Sequence, residues 1–188
     1  AAAAMKSPDH THSTSRRAIY KGAVTSQHAV REVLTMVFAQ ELLAPSKEVF
    51  IVAPWISNIV VFDSQIGQYA TLNPEWAKRE IRLVEVLVAI AANGTTLHIH
   101  TRPDDHNRNF KRRIQEALGD AGLLDQLRWT DRNALLHTKG VWTDRVLIDG
   151  SMNLTESGVA LNEESVTVSF EPEQVAAARV HFALYEQH

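Results

Sequence analysis

The sequence predicts an α/β sandwich, a fold in which helices cover a central β-sheet. Short β-rich runs alternate with helical segments in the order strand, helix, strand, helix, strand, which is typical of α/β proteins. The chain has 188 residues, of which 45% are hydrophobic and 22% charged, and this composition suits one domain with a substantial core. We expect that domain to span 18–188. Residues 1–17 contain no apolar run and are expected to be a disordered N-terminal arm or residues left by cloning.

The first half of the chain supplies two predicted helices and two predicted strands. Apolar residues recur at helical spacing over 26–43 after a serine cap, which predicts the first helix. The segment EVFIVAPWIS at 48–57 contains a short β-rich run that ends at Pro54 and predicts a buried strand, and a second apolar patch, NIVVFDS, follows it. A helix is predicted over 73–94 because a proline opens it and Asn-Gly closes it, and TTLHIHTR at 95–102 predicts the next strand.

The second half continues this alternation. A third helix is predicted over 107–122 and leads into LDQLRWTD at 124–131. Two short β-rich runs then flank a turn at 143–145, and a last helix is predicted over 171–187. We therefore expect the functional motif described below to lie on strands near the end of the chain.

Charge and composition exclude several classes of protein. The formal net charge is −3, so a nucleic-acid site must be a local cluster of basic residues rather than a basic surface overall. The chain has no cysteine, which excludes disulfides and thiolate metal sites. No run of 18 apolar residues occurs, so no membrane partner is predicted and the cytoplasm is the expected location.

The segment HTKGVWTDRVLIDGSMNLT at 137–155 combines residue types that suit phosphodiester chemistry. A phosphodiester is negatively charged and repels anionic nucleophiles, so a metal-free enzyme needs a neutral nucleophile surrounded by cations and hydrogen-bond donors. Imidazole, ammonium, hydroxyl and amide groups meet these needs. The full spacing is expected by chance in roughly one chain in a million of ordinary composition. Its members are His137, Lys139, Asp144, Gly150, Ser151 and Asn153, followed by Asn162 and Glu164.

This order resembles the HKD signature of the phospholipase D superfamily, and the resemblance covers roughly residues 26–186. It implies a phospholipase D-like α/β/α sandwich with a mixed central sheet, and an enzyme that needs no metal and no other cofactor. Only one HKD motif is present, as in the short bacterial members typified by the Nuc endonuclease, so a homodimer with a shared site is implied. One departure is that five residues separate Asp144 from Gly150, where the Nuc-type pattern has six.

The resemblance also implies a role for each catalytic residue. His137 attacks phosphorus and forms a phosphohistidine, while the same histidine of the second copy protonates the leaving oxygen and then activates water. Lys139 supplies positive charge to the non-bridging oxygens. The side chains of Asn153 and Ser151 donate hydrogen bonds to those oxygens.

The remaining motif residues are expected to support this set. Glu164 is the candidate for holding the ring N–H of His137, and Glu163 is the alternative because adjacent strand residues face opposite ways. Gly150 and Asn162 belong to the motif without an assigned chemical role. Asp144 comes directly after GVWT, within the predicted turn at 143–145, so it is expected to organise that turn or a salt bridge rather than to act in catalysis.

Other interpretations of these residues remain open. Two strand residues that are two positions apart share a face, so His137 and Lys139 also fit a satisfied polar cluster, and Gly-Ser-Met-Asn also fits a simple turn. A metal site is a second alternative, because HIHTRPDDH offers four possible ligands, although the spacing differs by two residues from the zinc motif of metallo-β-lactamase-like hydrolases. Those ligands are His98, His100, Asp105 and His106.

Nucleic acid is the predicted substrate. Arg102, Arg108, Lys111 and Arg112 are the predicted substrate-binding residues, because basic side chains on one or two helical turns can follow a nucleic-acid backbone. A solvated helix face is the alternative for this cluster. A lipid-active enzyme would show exposed apolar loops or a secretory signal, and neither is evident.

A non-enzymatic function is also open. Some single-motif proteins of this type, such as DpdK-type and DISARM-type proteins, accompany bacterial DNA-modification or anti-phage defence clusters. The chain then serves as a DNA-binding accessory subunit whose activity is weak or depends on other proteins of the system. The complete set of His137, Lys139, Asn153 and Glu164 argues against this alternative, because a purely structural descendant has no physical need to keep them together.

Overall fold

The computed structural model of the chain describes residues 15–21, 29–161 and 164–186. The strands in these ranges are β1 Arg16–Lys21, β2 Glu48–Val52, β3 Val60–Asp63, β4 Glu80–Arg82, β5 Thr96–His100, β6 Leu127–Thr130, β7 Gly140–Trp142, β8 Leu147–Gly150 and β9 Glu164–Ser169. The α-helices there are α1 Ala29–Leu43, α2 Leu83–Ala92, α3 Asp105–Asp120 and α4 Pro172–Ala183. One turn of π-helix, Ser157–Leu161, lies between β8 and β9.

The described strands build a mixed central sheet of seven strands in the order β1-β9-β8-β7-β2-β5-β6. The pairs β2-β5 and β5-β6 are parallel, because the helices α2 and α3 cross over between them. The other pairs are antiparallel, and β7-β8 is a hairpin. Strands β3 and β4 form a separate two-stranded sheet. The predicted α/β class and mixed sheet are confirmed.

Helices cover both faces of the sheet. Along β2 the side chains alternate, so Val49 and Ile51 join the apolar core shared with α1, α2 and α3. Phe50 and Val52 point the other way and pack in a smaller core against Val175 and Phe182 of α4. This division produces an α/β/α sandwich. No α-helix in the described part of the chain is both long and apolar enough to span a membrane.

The helix predicted over 73–94 is shorter in the structure and starts at Leu83. Residues Pro74–Trp76 form one turn of 3₁₀-helix, and the following β4 buries Ile81 against β3. The helix begins there because the Glu85 carboxylate accepts the Arg82 backbone N–H at 3.1 Å, which is one half of a capping box. Tertiary pairing of β4 with β3 thus overrides the helical pattern of the sequence.

The N-terminal boundary also differs from the prediction. Arg16 and Arg17 were expected at the end of the arm, but they belong to β1, which pairs antiparallel with β9 and buries Ile19. The sequence gives little sign of this strand, because Ile19 is the one buried side chain among Arg16–Tyr20 and the partner strand lies about 150 residues away. Residues 1–14, the rest of the predicted arm, and 22–28, which include the predicted Ser26 cap, lie outside the described residues.

Candidate active site

The β7–β8 hairpin brings the two halves of the motif together. His137 and Lys139 were predicted to lie on a strand, but they occupy the irregular segment just before β7. Ser151 and Asn153 follow the end of β8. The hairpin joins these two segments, since the Gly150 N–H donates to the Lys139 carbonyl at 3.4 Å. His137, Lys139, Ser151 and Asn153 therefore lie at one end of the hairpin, beyond its strands, whereas Gly150 ends β8 and Asp144 lies in the turn at the other end.

Gly150 is required by the close approach of β8 to β9. A Cβ atom at this position would lie 2.0 Å from the Ser165 carbonyl oxygen, so a larger residue would force the two strands apart. The next residue is tied to the same strand twice. The Ser151 N–H donates to the Ser165 carbonyl, and the Ser165 N–H donates to the Ser151 hydroxyl, both at 3.0 Å. The motif serine is thereby fixed beside β9.

His137 and Lys139 are presented to solvent at this end of the sheet. His137 is exposed and Lys139 is half-buried. The Lys139 ammonium donates to the His137 backbone carbonyl at 2.9 Å, which keeps the positive charge close to the His137 backbone. Between them, the Thr138 hydroxyl bonds to the Tyr185 hydroxyl of the C-terminal segment. The motif is thus anchored through its middle residue.

Asn153 lines a cleft of about 270 Å³ together with side chains from outside the motif. Its Oδ1 atom is buried and has no hydrogen-bond partner among the described residues. Gly158 lets the π-helical turn approach this asparagine, because a Cβ there would lie 2.3 Å from the Asn153 carbonyl oxygen. The backbone of Asn153 is therefore held from one side while its amide borders the cleft.

Asp144 makes structural contacts. Its carboxylate accepts the Lys47 backbone N–H at 2.9 Å, and its own N–H donates to the Ser46 hydroxyl at 3.0 Å. These bonds join the hairpin turn to the segment that enters β2. Asn162 and the alternative Glu163 lie outside the described residues, and Glu164 opens β9, where its backbone pairs with Lys21.

Arg102 is the predicted substrate-binding residue that contacts the motif segment. Its Nε donates to the Leu136 carbonyl at 2.7 Å, directly before His137. The other three predicted residues lie on α3 and are paired with acids there. Their ion pairs are Arg108 with Asp105 at 2.6 Å, Lys111 with Asp131 at 2.6 Å, and Arg112 with Glu116 at 3.0 Å. The basic cluster seen in the sequence is thus largely neutralised by its neighbours.

The family follows from this motif and from a matching sequence profile. The profile of the family described as "Cardiolipin synthase, PLD-like domain" matches residues 64–185, which include the whole HKD segment. The chain belongs to the phospholipase D superfamily. No curated protein sequence matches it significantly.

Solved structures of the phospholipase D fold superpose on nearly the whole chain. NucT from Helicobacter pylori is 11% identical with a TM-score of 0.57, covering 92% of this chain and 96% of its own. Nuc from Salmonella typhimurium, a phospholipase D family member, is 15% identical with a TM-score of 0.52, covering 90% of this chain and 91% of its own. Polyphosphate kinase from Porphyromonas gingivalis has a TM-score of 0.59 at 10% identity and covers 92% of this chain but 26% of its own. At these identities the similarity establishes the fold.

The four candidate metal ligands of this phospholipase D-like chain do not converge. His98 is buried under the C-terminal segment, where its ring contacts the carboxylates of Glu186 and Glu48. Asp105 and His106 are exposed at the start of α3, in the helical layer across the sheet. Throughout the described ranges, no group of three or more His, Asp or Glu side chains is arranged to hold a metal ion.

Trp55 is a site residue that the sequence did not reveal. It follows β2, borders the Asn153 cleft, and donates its indole N–H to the Asp104 carboxylate at 3.2 Å. Asp104 caps α3, and hydrogen bonds from the His106 backbone N–H and the Trp55 indole lower the pKa of this carboxyl. An aromatic residue directly after a predicted strand was the available signal, because loops that follow sheet strands often carry binding residues.

Proposed function

We propose that this phospholipase D-like chain is a metal-independent phosphodiesterase, specifically a nuclease that cleaves DNA or RNA through a phosphohistidine in a site shared by two copies of the chain. One observation carries the proposal. The β7–β8 hairpin bonds the segment of the exposed His137 and the cationic Lys139 to the end of β8, and Ser151 follows there beside β9; this supports a nucleophile close to groups that can bind phosphoryl oxygens.

The reaction takes place in two displacements. A ring nitrogen of His137 attacks phosphorus and forms a P–N bond, while the P–O bond to the leaving group breaks and the partner's His137 gives that oxygen a proton. In the second step the partner's His137 takes a proton from water. The water oxygen attacks phosphorus and the P–N bond breaks, which restores both histidines.

The surrounding residues stabilise the charge that develops. The Lys139 ammonium lies 2.9 Å from the His137 carbonyl, and a rotation of its flexible side chain carries it to a phosphoryl oxygen. The amide of Asn153 and the hydroxyl of Ser151 are the proposed donors to the same oxygens. Glu164, whose side chain lies outside the described part of the structure, is proposed to hold the His137 ring.

Nucleic acid fits the surroundings of the motif better than a phospholipid does. Arg102 is fixed beside His137, where a guanidinium can bind the phosphate of a neighbouring nucleotide. The adjoining cleft is lined by Trp55, a histidine and polar side chains rather than by aliphatic ones.

The experiment that tests this function is cleavage of labelled single- and double-stranded DNA and of RNA in excess EDTA. We expect the wild type to cleave at least one of these, and His137→Ala to be inactive because it lacks the nucleophile. Asp144→Asn is the matched control, since Asp144 contacts backbone groups and is not placed in the chemistry. Activity that EDTA abolishes and zinc or manganese restores would contradict the mechanism.

Two further measurements test the intermediate and the shared site. Acid quench destroys a phosphohistidine whereas alkaline denaturation preserves it, so a base-stable adduct of labelled substrate should form on the wild type and be missing from His137→Ala. Light scattering should give twice the mass of the chain, and a fully active monomer would refute the shared site. Nucleic-acid binding without any cleavage would favour the accessory-subunit alternative in a defence or DNA-modification complex.

A further inference from the structure

The cleft beside Asn153 contains residues that the two-step reaction does not use. Trp55, His106, Thr155 and Ser157 line it together with Asn153, and its volume is about 270 Å³. Asn153 is a proposed ligand of the scissile phosphate, so a molecule in this cleft would lie next to the reacting bond. The side-chain oxygen of Asn153 is buried and has no hydrogen-bond partner in the described chain.

Trp55 is held in a fixed orientation. Its indole N–H donates to Asp104 at 3.2 Å, and the Arg102 guanidinium lies 5.1 Å from its ring centroid. Arg102 is itself anchored by the Leu136 carbonyl at 2.7 Å. The cleft lining includes Trp55 but not Arg102. The indole is only half-buried, which leaves an aromatic surface that is already ordered before a ligand binds.

His106 also lines this cleft. The ring is exposed, and its Nε2 lies 2.9 Å from the Ser57 hydroxyl, which fixes its orientation. Thr155 and Ser157 add two hydroxyl groups that both donate and accept hydrogen bonds. An indole, an imidazole and hydroxyl groups thus surround one space of limited volume.

This combination points to one class of ligand. The lining carries no aliphatic side chain of the size that would hold an acyl chain, and no lysine or arginine that would hold a second phosphate. A nucleobase is flat, aromatic and edged with donors and acceptors, so it stacks on an indole and bonds to hydroxyl and imidazole groups. We propose that Trp55, with His106 and the two hydroxyls, forms a subsite for the base of the nucleotide next to the scissile phosphate; this rests on the proposed nuclease function.

The test compares a thymidine dodecamer with a dodecamer of the same length made of abasic nucleotides. Binding is measured in EDTA by fluorescence anisotropy on the His137→Ala background, which prevents cleavage. Trp55→Ala should lower the affinity for the thymidine dodecamer roughly 10- to 100-fold, because stacking on an aromatic side chain is lost. It should change the affinity for the abasic dodecamer less than about twofold, since the phosphate contacts remain. Trp55→Phe, which keeps a ring, should restore most of the loss.

Trp129→Ala is the matched control. This half-buried tryptophan also donates its indole N–H to an aspartate, Asp131 at 3.1 Å, and lies under a cation, the Lys111 ammonium at 5.5 Å. It does not line the Asn153 cleft, so both dodecamers should bind this variant with wild-type affinity. Thermal denaturation of each variant shows whether the protein is folded.

The outcomes separate the subsite from the nuclease. If Trp55→Ala lowered the affinity for both dodecamers equally, the subsite proposal would be overturned, because the tryptophan would then act by holding Arg102 or Asp104 in place. Failure of the thymidine dodecamer to bind would overturn it as well. Cleavage by the wild type is assayed separately, so a base-dependent affinity without cleavage would refute the nuclease while supporting the subsite.

Discussion

Replacing His100 should stabilise the protein and reduce the pH dependence of its stability. The side chain is 1% exposed, and neither ring nitrogen has a hydrogen-bond partner among the described residues. Burial lowers the pKa of His100 to about 4, the nearby Glu186 carboxylate opposes this shift, and His98 adds to it. The imidazole is therefore neutral in the folded protein over most of the accessible pH range.

The sign of the effect follows from comparing the folded and unfolded states. As pH falls below the ordinary histidine pKa of about 6.5, the unfolded chain takes up a proton at His100 and the folded chain does not. Stability is thus lost progressively from pH 6.5 down to about pH 4, where the folded protein also titrates. Between pH 7 and pH 4.5 the titration of His100 lowers the free energy of unfolding by about 2 kcal/mol. In a domain of this size that corresponds to a drop of roughly 4–8 °C in Tm.

The assay is urea unfolding of wild type, His100→Leu and His100→Gln at both pH values. Leucine fills a similar volume without polar atoms, so we expect the free energy of unfolding of His100→Leu at pH 7 to exceed that of the wild type by about 1 kcal/mol. Between pH 7 and pH 4.5 we expect the free energy of unfolding to fall by about 2 kcal/mol less in His100→Leu than in the wild type. His100→Gln removes the titration but keeps an amide in the apolar site, so it should share the reduced pH dependence without the gain at pH 7. If the stability of His100→Leu kept the full pH dependence of the wild type, His100 would not be the group responsible for it.

Three further substitutions test the contacts that hold the motif. Gly150→Ala should lower the free energy of unfolding by about 3 kcal/mol or more and abolish activity, because its Cβ would lie 2.0 Å from the Ser165 carbonyl oxygen. Thermal melting followed by circular dichroism measures the stability, and the cleavage assay in EDTA measures the activity. Glu41→Ala should cost about 3 kcal/mol in urea unfolding, since Glu41 is 0% exposed and pairs with Arg145 at 3.0 Å; a cost below 1 kcal/mol would contradict a structural role for this pair. Thr143→Val should lower the free energy of unfolding, measured in urea, by about 1–2 kcal/mol, because the buried Thr143 hydroxyl accepts two backbone N–H groups of the hairpin turn. The cleavage rate per folded molecule should not change.

Tertiary pairing decided the elements that the sequence assigned incorrectly. The segment 73–94 reads as one helix because its apolar residues follow helical spacing, but Ile81 is buried by pairing between β4 and β3. The strand β1 was missed for the same reason, since its partner β9 lies about 150 residues along the chain. Local periodicity reports which residues are apolar and does not report which distant segment they will meet.

The sequence by itself determined the α/β class and the HKD motif, and it placed Asp144 in a turn. These features depend on local spacing, hairpin geometry and residue chemistry, all of which a single chain displays. The tertiary structure alone decided that Arg108, Lys111 and Arg112 are paired with acids, whereas Arg102 contacts the motif segment. Charges that are close in sequence are partnered by whichever groups the fold brings near them, and the same folding sets Trp55 beside Asn153.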